Sequence, residues 1–485
     1  MVKKKVQVLM AAFEAAPFFK TGGLGEVAGS LPSALKKENV EVRLILPKAA
    51  ALPERFAAKL RHIADFKVPV GWRWQYCGVE ELKYKYVTYY FLDNEYYFKR
   101  DGLYGYGDEA ERMAFFAKAV LESIQYLPDF QPDIVHCNDW HTALTPVFLR
   151  EQYMAAPEYA RMKTVFSVHN LKYQGQFGGY LLGDLLGLTS GPALSQLIYD
   201  NDLNYMCGAL CYSDRLLTVS PTYADEVCTP SYGEGLDAVF RRRRNRLRGI
   251  LNGIDYKVYN PENDKNLPAV YSASDMAGKA ICKAELQKRL NLPENPEAPL
   301  LAVVSRLTEQ KGLDLLLHIL QELLQTQPDV QLAVLGLGDE RYEHDFGWFS
   351  NNFANQVAYR REFDDNLAHN YYAGADLLLM PSRFEPCGLA QMIAMRYGTL
   401  PLVRETGGLK DSVLPYNRFT GEGTGFSFAN YNAHEMLFTL QNALDLYRTE
   451  PEVWQGLMTQ AMQQDFSWQR SAKEYAGLYR ELLAE

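Results

Sequence analysis

Apolar residues along this chain fall in short unbroken runs rather than in strict alternation with polar ones. VQVLMAAF (6–13), VRLILP (42–47), DIVHC (133–137), TVFSVHN (164–170) and RLLTVS (215–220) are rich in β-branched and aliphatic residues. Each is followed by a helix signal. Runs of this kind predict parallel strands buried on both faces. The rhythm resumes after residue 298 with PLLAVVSR (299–306), VQLAVLGLG (330–338), DLLLMPS (376–382) and GTLPLVR (398–404). Two such series predict an α/β protein with two Rossmann-like, doubly wound domains. The Asn-, Asp- and Pro-rich stretch 252–275 between them reads as the hinge and the loop after it. The expected division is 1–252, 253–462 and a C-terminal helix over 463–485 that packs back on the domain junction; FSWQRSAKEYAGLYRELLAE has the required amphipathic pattern.

One region departs from this rhythm. Residues 72–112 are crowded with aromatics, and YKYVTYY alternates so that Tyr84, Tyr86 and Tyr90 are expected on one face of a strand. The cheaper interpretation is an antiparallel hairpin insertion with an aromatic core face. The alternative is a surface that stacks on sugar rings.

Length and composition narrow the class. A chain of 485 residues exceeds one ordinary core, in keeping with two domains. No apolar stretch approaches a membrane span. The opening MVKKKVQVLMAAFEAAPFF has a basic flank, but Glu14 interrupts its apolar run, so it is taken as a first buried strand and not as a signal peptide. Seven scattered cysteines without a C-x-x-C pair fit a reduced compartment. The net charge of −9 argues against nucleic acid as a partner, and RRRRNRLRG (241–249) is expected to be a solvated helix face.

The letters TGGL occur twice, at Thr21–Leu24 and Thr406–Leu409, each after an apolar run and before a helix signal. Glycines there let a backbone approach a phosphate, and a helix N-terminus supplies N–H donors and a positive dipole end. Other predicted strand ends carry polar groups. His136, Asn138, Asp139, Trp140 and His141 follow one; His169 and Asn170 follow another. Arg306 and Lys311 lie after a third, and Arg383, Glu385, Cys387 and Gly388 after a fourth. Ligands of open α/β sheets sit at the carboxyl ends of strands.

KTGGLGEVAGSLP, HCNDWHTAL, VHNLKYQG, LNGID, SRLTEQKGLDLL, AGADLLLMPSRFEPCGLAQ and GTLPLVRETGGLKDSV resemble, in order and nearly end to end, the motifs of bacterial glycogen synthases and plant starch synthases. The resemblance implies the GT-B architecture, two Rossmann-like domains facing a deep cleft. It also implies retaining transfer of glucose from ADP-glucose to the nonreducing end of an α-1,4-glucan, either glycogen or a malto-oligosaccharide. By motif match Arg306 and Lys311 are the leaving-group cations, with Lys20, Gly22 and Gly23 joining from the first domain. Glu385 corresponds to the acidic residue at the donor sugar, His169 to the histidine beside it and Asn252 to the asparagine of the NG-D motif. Cys387, Gly388, Thr406, Gly407 and Gly408 fall in the donor-binding motifs, and Asp139 and Trp140 on the acceptor side. Two positions depart from the family: Glu26 stands where Asp is common, and Phe363 where Tyr is expected to stack on adenine.

Fixed cations aimed at a departing diphosphate stabilise the transition state more than the ground state. No second carboxylate pairs with Glu385 as in glycosidases, since the position eight residues on is Ile393. The expected chemistry is therefore front-face attack, without a metal or other cofactor. The Asp-x-Asp letters at Asp200–Asp202 lie among turn residues and are taken as coincidental. Rival classes are a pyridoxal-dependent phosphorylase, whose lysine and glycine pattern is not matched, and a glucan-binding scaffold, which would not need the cation set. The residues leave ADP-glucose against UDP-glucose open. With an initial Met and no transit-peptide pattern, a cytoplasmic enzyme of bacterial type is expected, a processed plastid form having the same look.

Overall fold

The computed structural model describes residues 5–189, 191–362 and 364–485. The chain divides into two compact units. One runs to Gly253 and includes Trp468–Glu485; the other is Ile254–Ser467.

Among the described residues the first unit is built on a nine-stranded sheet. From one edge it runs Leu247–Gly249, Arg215–Thr218, Lys163–Val168, Ile134–Asn138, Val6–Ala11, Val40–Pro47, Val87–Asp93, Arg73–Tyr84 and Arg61–Val70. The seven strands from Leu247–Gly249 to Val87–Asp93 are parallel, and the last two join antiparallel. The apolar runs are strands because both faces are covered: Val8, Met10, Ile134, Val165 and Leu217 are completely buried. The order reverses between Val6–Ala11 and Ile134–Asn138, which neighbour each other although far apart in sequence. The helix Trp468–Ala484 packs in the same unit against the helix Gly23–Leu35, with Trp468, Tyr475, Tyr479 and Leu482 inside its core. His136 lies 2.7 Å from both the Tyr479 hydroxyl and the Ser167 hydroxyl, tying that helix to the sheet.

The tyrosine-rich stretch is not one strand. Lys85 and Tyr86 both take left-handed backbone (φ 45° and 68°) and turn the chain between Arg73–Tyr84 and Val87–Asp93. Tyr86 is thus almost fully exposed in the turn, Tyr90 is buried in the sheet, and Tyr84 sits at the edge of an aromatic cluster with Phe18 and Phe56. The basic run is solvated as expected but is helical only to Arg242, passing through a tight turn into the strand Leu247–Gly249, and several of its arginines are paired. Arg241 pairs with Asp237, Arg244 with Asp225, Arg246 with Glu485 and Arg248 with Glu481.

The second unit has a six-stranded parallel sheet in the order Val357–Arg360, Gln331–Leu335, Leu300–Val304, Leu377–Met380, Leu400–Arg404, Phe426–Phe428. Numbered within the unit this is 3-2-1-4-5-6, the dinucleotide-fold order, with its switch point between Leu300–Val304 and Leu377–Met380. The Asn- and Asp-rich stretch after residue 253 is pinned to this unit. The Asp264 carboxylate accepts the Tyr397 hydroxyl at 2.5 Å and lies 2.5 Å from His369 Nδ1, and the Asn266 carbonyl accepts from the Asn370 amide. No helix among the described residues is long and apolar enough to cross a membrane.

Candidate active site

In each unit the polar residues collect past the carboxyl ends of parallel strands, those flanking the switch point and their neighbours. In the first unit the chain leaves Val6–Ala11, passes the buried Glu14, and reaches the loop that starts the helix Gly23–Leu35. Glu14 Oε2 accepts the Thr21 N–H at 2.6 Å and the Thr21 hydroxyl at 2.7 Å. Lys20 Nζ pairs with Glu26 at 2.5 Å, a partly exposed contact. Gly22 and Gly23 are exposed, and a Cβ on either would meet no atom within 4 Å.

The neighbouring strand Ile134–Asn138 ends in Asp139, whose backbone is left-handed in φ and extended in ψ (57°, 177°). That conformation is costly for a residue with a side chain. It is held by hydrogen bonds: the Asp139 N–H donates to the Ser167 carbonyl at 2.9 Å, and Asp139 Oδ1 accepts the His169 N–H at 2.7 Å. Burial pushes the Asp139 pKa up to about 7, with the charge of Glu14 adding to the effect. His169 Nε2 lies 3.0 Å from Asn138 Oδ1, and burial pushes this imidazole down to about 4, so it is neutral at pH 7. Trp140 is buried, its ring against His141 and Phe177, and a Cβ on the left-handed Gly175 would fall 2.5 Å from it. Asn252 is buried beyond the strand Leu247–Gly249, and its side-chain oxygen has no hydrogen-bond partner among the described residues.

In the second unit Arg306 follows Leu300–Val304 and is exposed; no ion pair or hydrogen bond engages its guanidinium among the described residues. Lys311 ends a short turn before the helix Leu313–Thr326, and its Nζ lies 2.6 Å from Glu385 Oε2. Ser382 donates to the same oxygen at 3.1 Å, and Glu385 is buried. Gly312 between them is left-handed, and a Cβ on it would lie 1.9 Å from the Pro381 carbonyl oxygen. The segment carrying Lys311 and the one carrying Glu385 are thus in backbone contact.

The second TGGL turn serves a different purpose from the first. A Cβ on Gly407 would lie 2.0 Å from the Glu385 carbonyl oxygen, and one on Gly408 2.1 Å from the Cys387 oxygen. The Gly408 N–H donates to the Glu385 carbonyl at 3.0 Å. These glycines are spent on packing the turn against the buried FEPCG loop. The helix they open, Gly407–Ser412, is only six residues long, so its dipole is small beside that of the 13-residue helix at Gly23. Thr406 is fully buried, Cys387 is buried, and Gly388 is left-handed at φ 70°.

Residues 7–242 match a family described as the starch synthase catalytic domain, and residues 284–452 match glycosyl transferases group 1. Over 98% of its length the chain is 49% identical to a glycogen synthase of Desulfitobacterium hafniense, of which it covers 99%. The chain belongs to the glycogen synthase and starch synthase family. A family member from Geobacillus stearothermophilus, also a glycogen synthase, is 50% identical over 99% of this chain and 98% of its own. Among solved structures, the catalytic domain of starch synthase IV from Arabidopsis thaliana, bound to ADP and acarbose, superposes with a TM-score of 0.90. It is 32% identical, covering 99% of this chain and 100% of that one. A sucrose-phosphate synthase from Thermosynechococcus elongatus shares the fold, with a TM-score of 0.62 at 17% identity. The chain is a glycosyltransferase of GT-B fold with glycogen or starch synthase function.

Membership of the family gives the strand-end residues a common context, and the structure adds two that the motifs did not single out. In the sequence Glu14 is no more than a break in an apolar run. Gln391 donates to the Cys387 and Gly388 carbonyls and to the Ser412 hydroxyl, each at 3.0 Å, bridging the FEPCG loop to the second glycine turn. A polar residue at the start of the mostly apolar helix Ala390–Arg396 is its one sequence signal. Phe363 lies outside the described residues. Asp200 and Asn201 form a left-handed turn between the short strands Ile198–Tyr199 and Asp202–Asn204, which accounts for the Asp-x-Asp letters. Among the described residues no group of three or more His, Cys, Asp or Glu is placed to hold a metal ion.

Proposed function

We propose that the chain transfers glucose from ADP-glucose to the nonreducing end of an α-1,4-glucan, with retention at the anomeric carbon. The observation that carries this reading is the gathering of Arg306, Lys311, Glu385 and the 406–408 turn at the ends of three adjacent parallel strands beside a switch point. The starch synthase IV neighbour, solved with ADP and acarbose, supports the same class of ligands.

Departure of ADP places negative charge on its terminal phosphate. Arg306 and Lys311 meet that charge, with Lys20 as a further cation and the Gly22 and Gly23 N–H groups as donors. Because Lys311 is already fixed by Glu385, little reorganisation accompanies the reaction. Glu385 in turn accepts hydroxyls of the donor glucose. A neutral His169 offers that sugar its backbone carbonyl and ring without competing for protons, and Asn252 contributes its unpartnered oxygen. The buried Ile393 leaves Glu385 without a second carboxylate, so the acceptor hydroxyl attacks on the face from which the phosphate departs, and that phosphate takes its proton. Asp139 and Trp140 shape the acceptor side. Protein cations fill the role a metal would have, so none is needed.

The test is radiolabel transfer to glycogen from ADP-glucose and, separately, UDP-glucose, with excess chelator present. Label should enter glycogen from ADP-glucose and be released by β-amylase, which cuts α-1,4 links from nonreducing ends. Absence of transfer, β-amylase-resistant label, or activity that returns only with added Mg²⁺ overturns the corresponding part of the proposal.

A further inference from the structure

We propose that Glu14 is the positioning residue of the first glycine loop: its buried carboxylate fixes Thr21, and through it the Lys20–Gly23 backbone that serves the donor diphosphate. This rests on the function proposed above and assigns a further residue to the same site.

Glu14 is 3% exposed, three residues past the strand Val6–Ala11 that flanks the switch point. A buried carboxylate is costly unless its oxygens are hydrogen-bonded. What compensates this one is the loop. Oε2 takes both the Thr21 N–H and the Thr21 hydroxyl, and the Gly25 N–H also reaches the carboxylate. Burial pushes the Glu14 pKa up, while these bonds and the nearby Lys20 charge pull it back. Hydrogen bonds to a charged group are about twice as strong as neutral ones. The loop needs such an anchor because Thr21, Gly22 and Gly23 are all exposed and the two glycines bring no side chains of their own.

The neighbours reinforce the geometry. Gly25 follows so closely that a Cβ on it would lie 2.6 Å from Lys20 Cβ and 3.6 Å from Glu14 Cδ, so residues 20–25 wrap the carboxylate. Tyr104 lies close to Thr21, and its ring packs on Phe13 and His141. Thr21 is therefore held by the Glu14 carboxylate through both its N–H and its hydroxyl. An error of about 1 Å in a positioned donor costs about 10²-fold in rate, so a carboxylate that sets this loop has kinetic consequences without touching substrate.

The experiment uses the full chain with E14Q, T21V, T21S and the double variant E14Q/T21V. Glucose transfer, calorimetric ADP binding, thermal unfolding and hydrogen exchange of the loop amides are measured on each. E14Q and T21V should each lower kcat by about 10²-fold, with the glucan KM and ADP Kd within about threefold and Thr21 amide exchange at least tenfold faster. The double variant should be no slower than the worse single one, since both remove one interaction. T21S, which keeps both donors, should recover most of the activity lost in T21V. The proposal is overturned if folded E14Q keeps wild-type kcat, if kcat falls while Thr21 exchange is unchanged, or if the two losses multiply. Should E14Q fail to fold, T21V against T21S decides, and equal kcat in that pair overturns it. Wild-type protein without transfer activity would instead count against the function proposed above, with loop exchange in E14Q still reporting whether the anchor exists.

Discussion

Lys311 shows how a single side chain carries two duties. In the function proposed above it meets the leaving diphosphate, and it pairs with the buried Glu385, which among the described residues has Ser382 as its one further side-chain partner. Lys311→Ala should lower turnover by about 10²–10³, the usual effect of deleting one preorganised donor, while leaving glucan affinity nearly unchanged. It should also lower stability, because removing one partner of a buried pair strands the other charge, an effect of about 3–5 kcal/mol at full burial and less here. Initial rates and thermal melts on one preparation separate the two effects. Wild-type turnover in a folded variant would remove Lys311 from the chemistry. Arg306 carries no structural duty of that kind, so its truncation should cost rate without stability.

At the scale of elements, the two TGGL turns share letters and differ in physics. Gly22 and Gly23 have open space where a side chain would stand, and Gly22 is in extended backbone. Gly22→Val should therefore fold normally and lose turnover, with ADP binding weakened by no more than about 1–2 kcal/mol, a lost hydrogen bond or two. Gly408→Ala, pressed against the Cys387 carbonyl, should lower the unfolding midpoint of the second unit, overpacking of this sort costing about 1–3 kcal/mol. Equal melting of the two variants would refute the distinction. The apolar runs gave the strands away because burial on both faces leaves a continuous signal, and the polar groups at strand ends singled out Lys311, Glu385, Asp139 and His169 as candidates. Other features left no such trace. The strand Val87–Asp93 is cut off by a two-residue turn whose Lys85 and Tyr86 are not turn-forming types, so alternation ran straight through it. Close backbone approach at Gly407 depends on a loop twenty residues away. Glu14 looked like a defect in a strand because its partner, Thr21, lies past the chain reversal at residues 15–19.

For the whole molecule, acid is the informative stress. Burial holds His136 and His141 at about 3 and His169 at about 4, whereas an unfolded histidine titrates at about 6.5. As pH falls below 6.5 the unfolded chain takes up protons that the native first unit refuses, so stability drops. Each imidazole accounts for about 2 kcal/mol by pH 5. Asp139 acts oppositely, since its raised pKa makes the native state keep a proton that the unfolded chain releases above about 4. Glu14, also raised, acts in the same direction as Asp139; the three imidazoles outweigh these two carboxyls, and urea unfolding at pH 7 and pH 5 should show a net loss. His136→Gln, which keeps hydrogen-bonding capacity without the titration, should reduce that loss by about 2 kcal/mol. An unchanged pH dependence in this variant would show that His136 does not contribute.

The placement of Trp468–Ala484 in the first unit also sets a timetable for biosynthesis. A ribosome finishes the nine-stranded sheet of that unit and then makes the whole of Ile254–Ser467 before the helix that seats Tyr475 and Tyr479 emerges. Those intervening residues number about two hundred, so at about 5–20 residues per second the nascent first unit waits roughly 10–40 s with a core surface uncovered. Throughout that interval the growing polypeptide offers chaperones an apolar face on its earlier part, and the helix Trp468–Ala484 is what withdraws the offer.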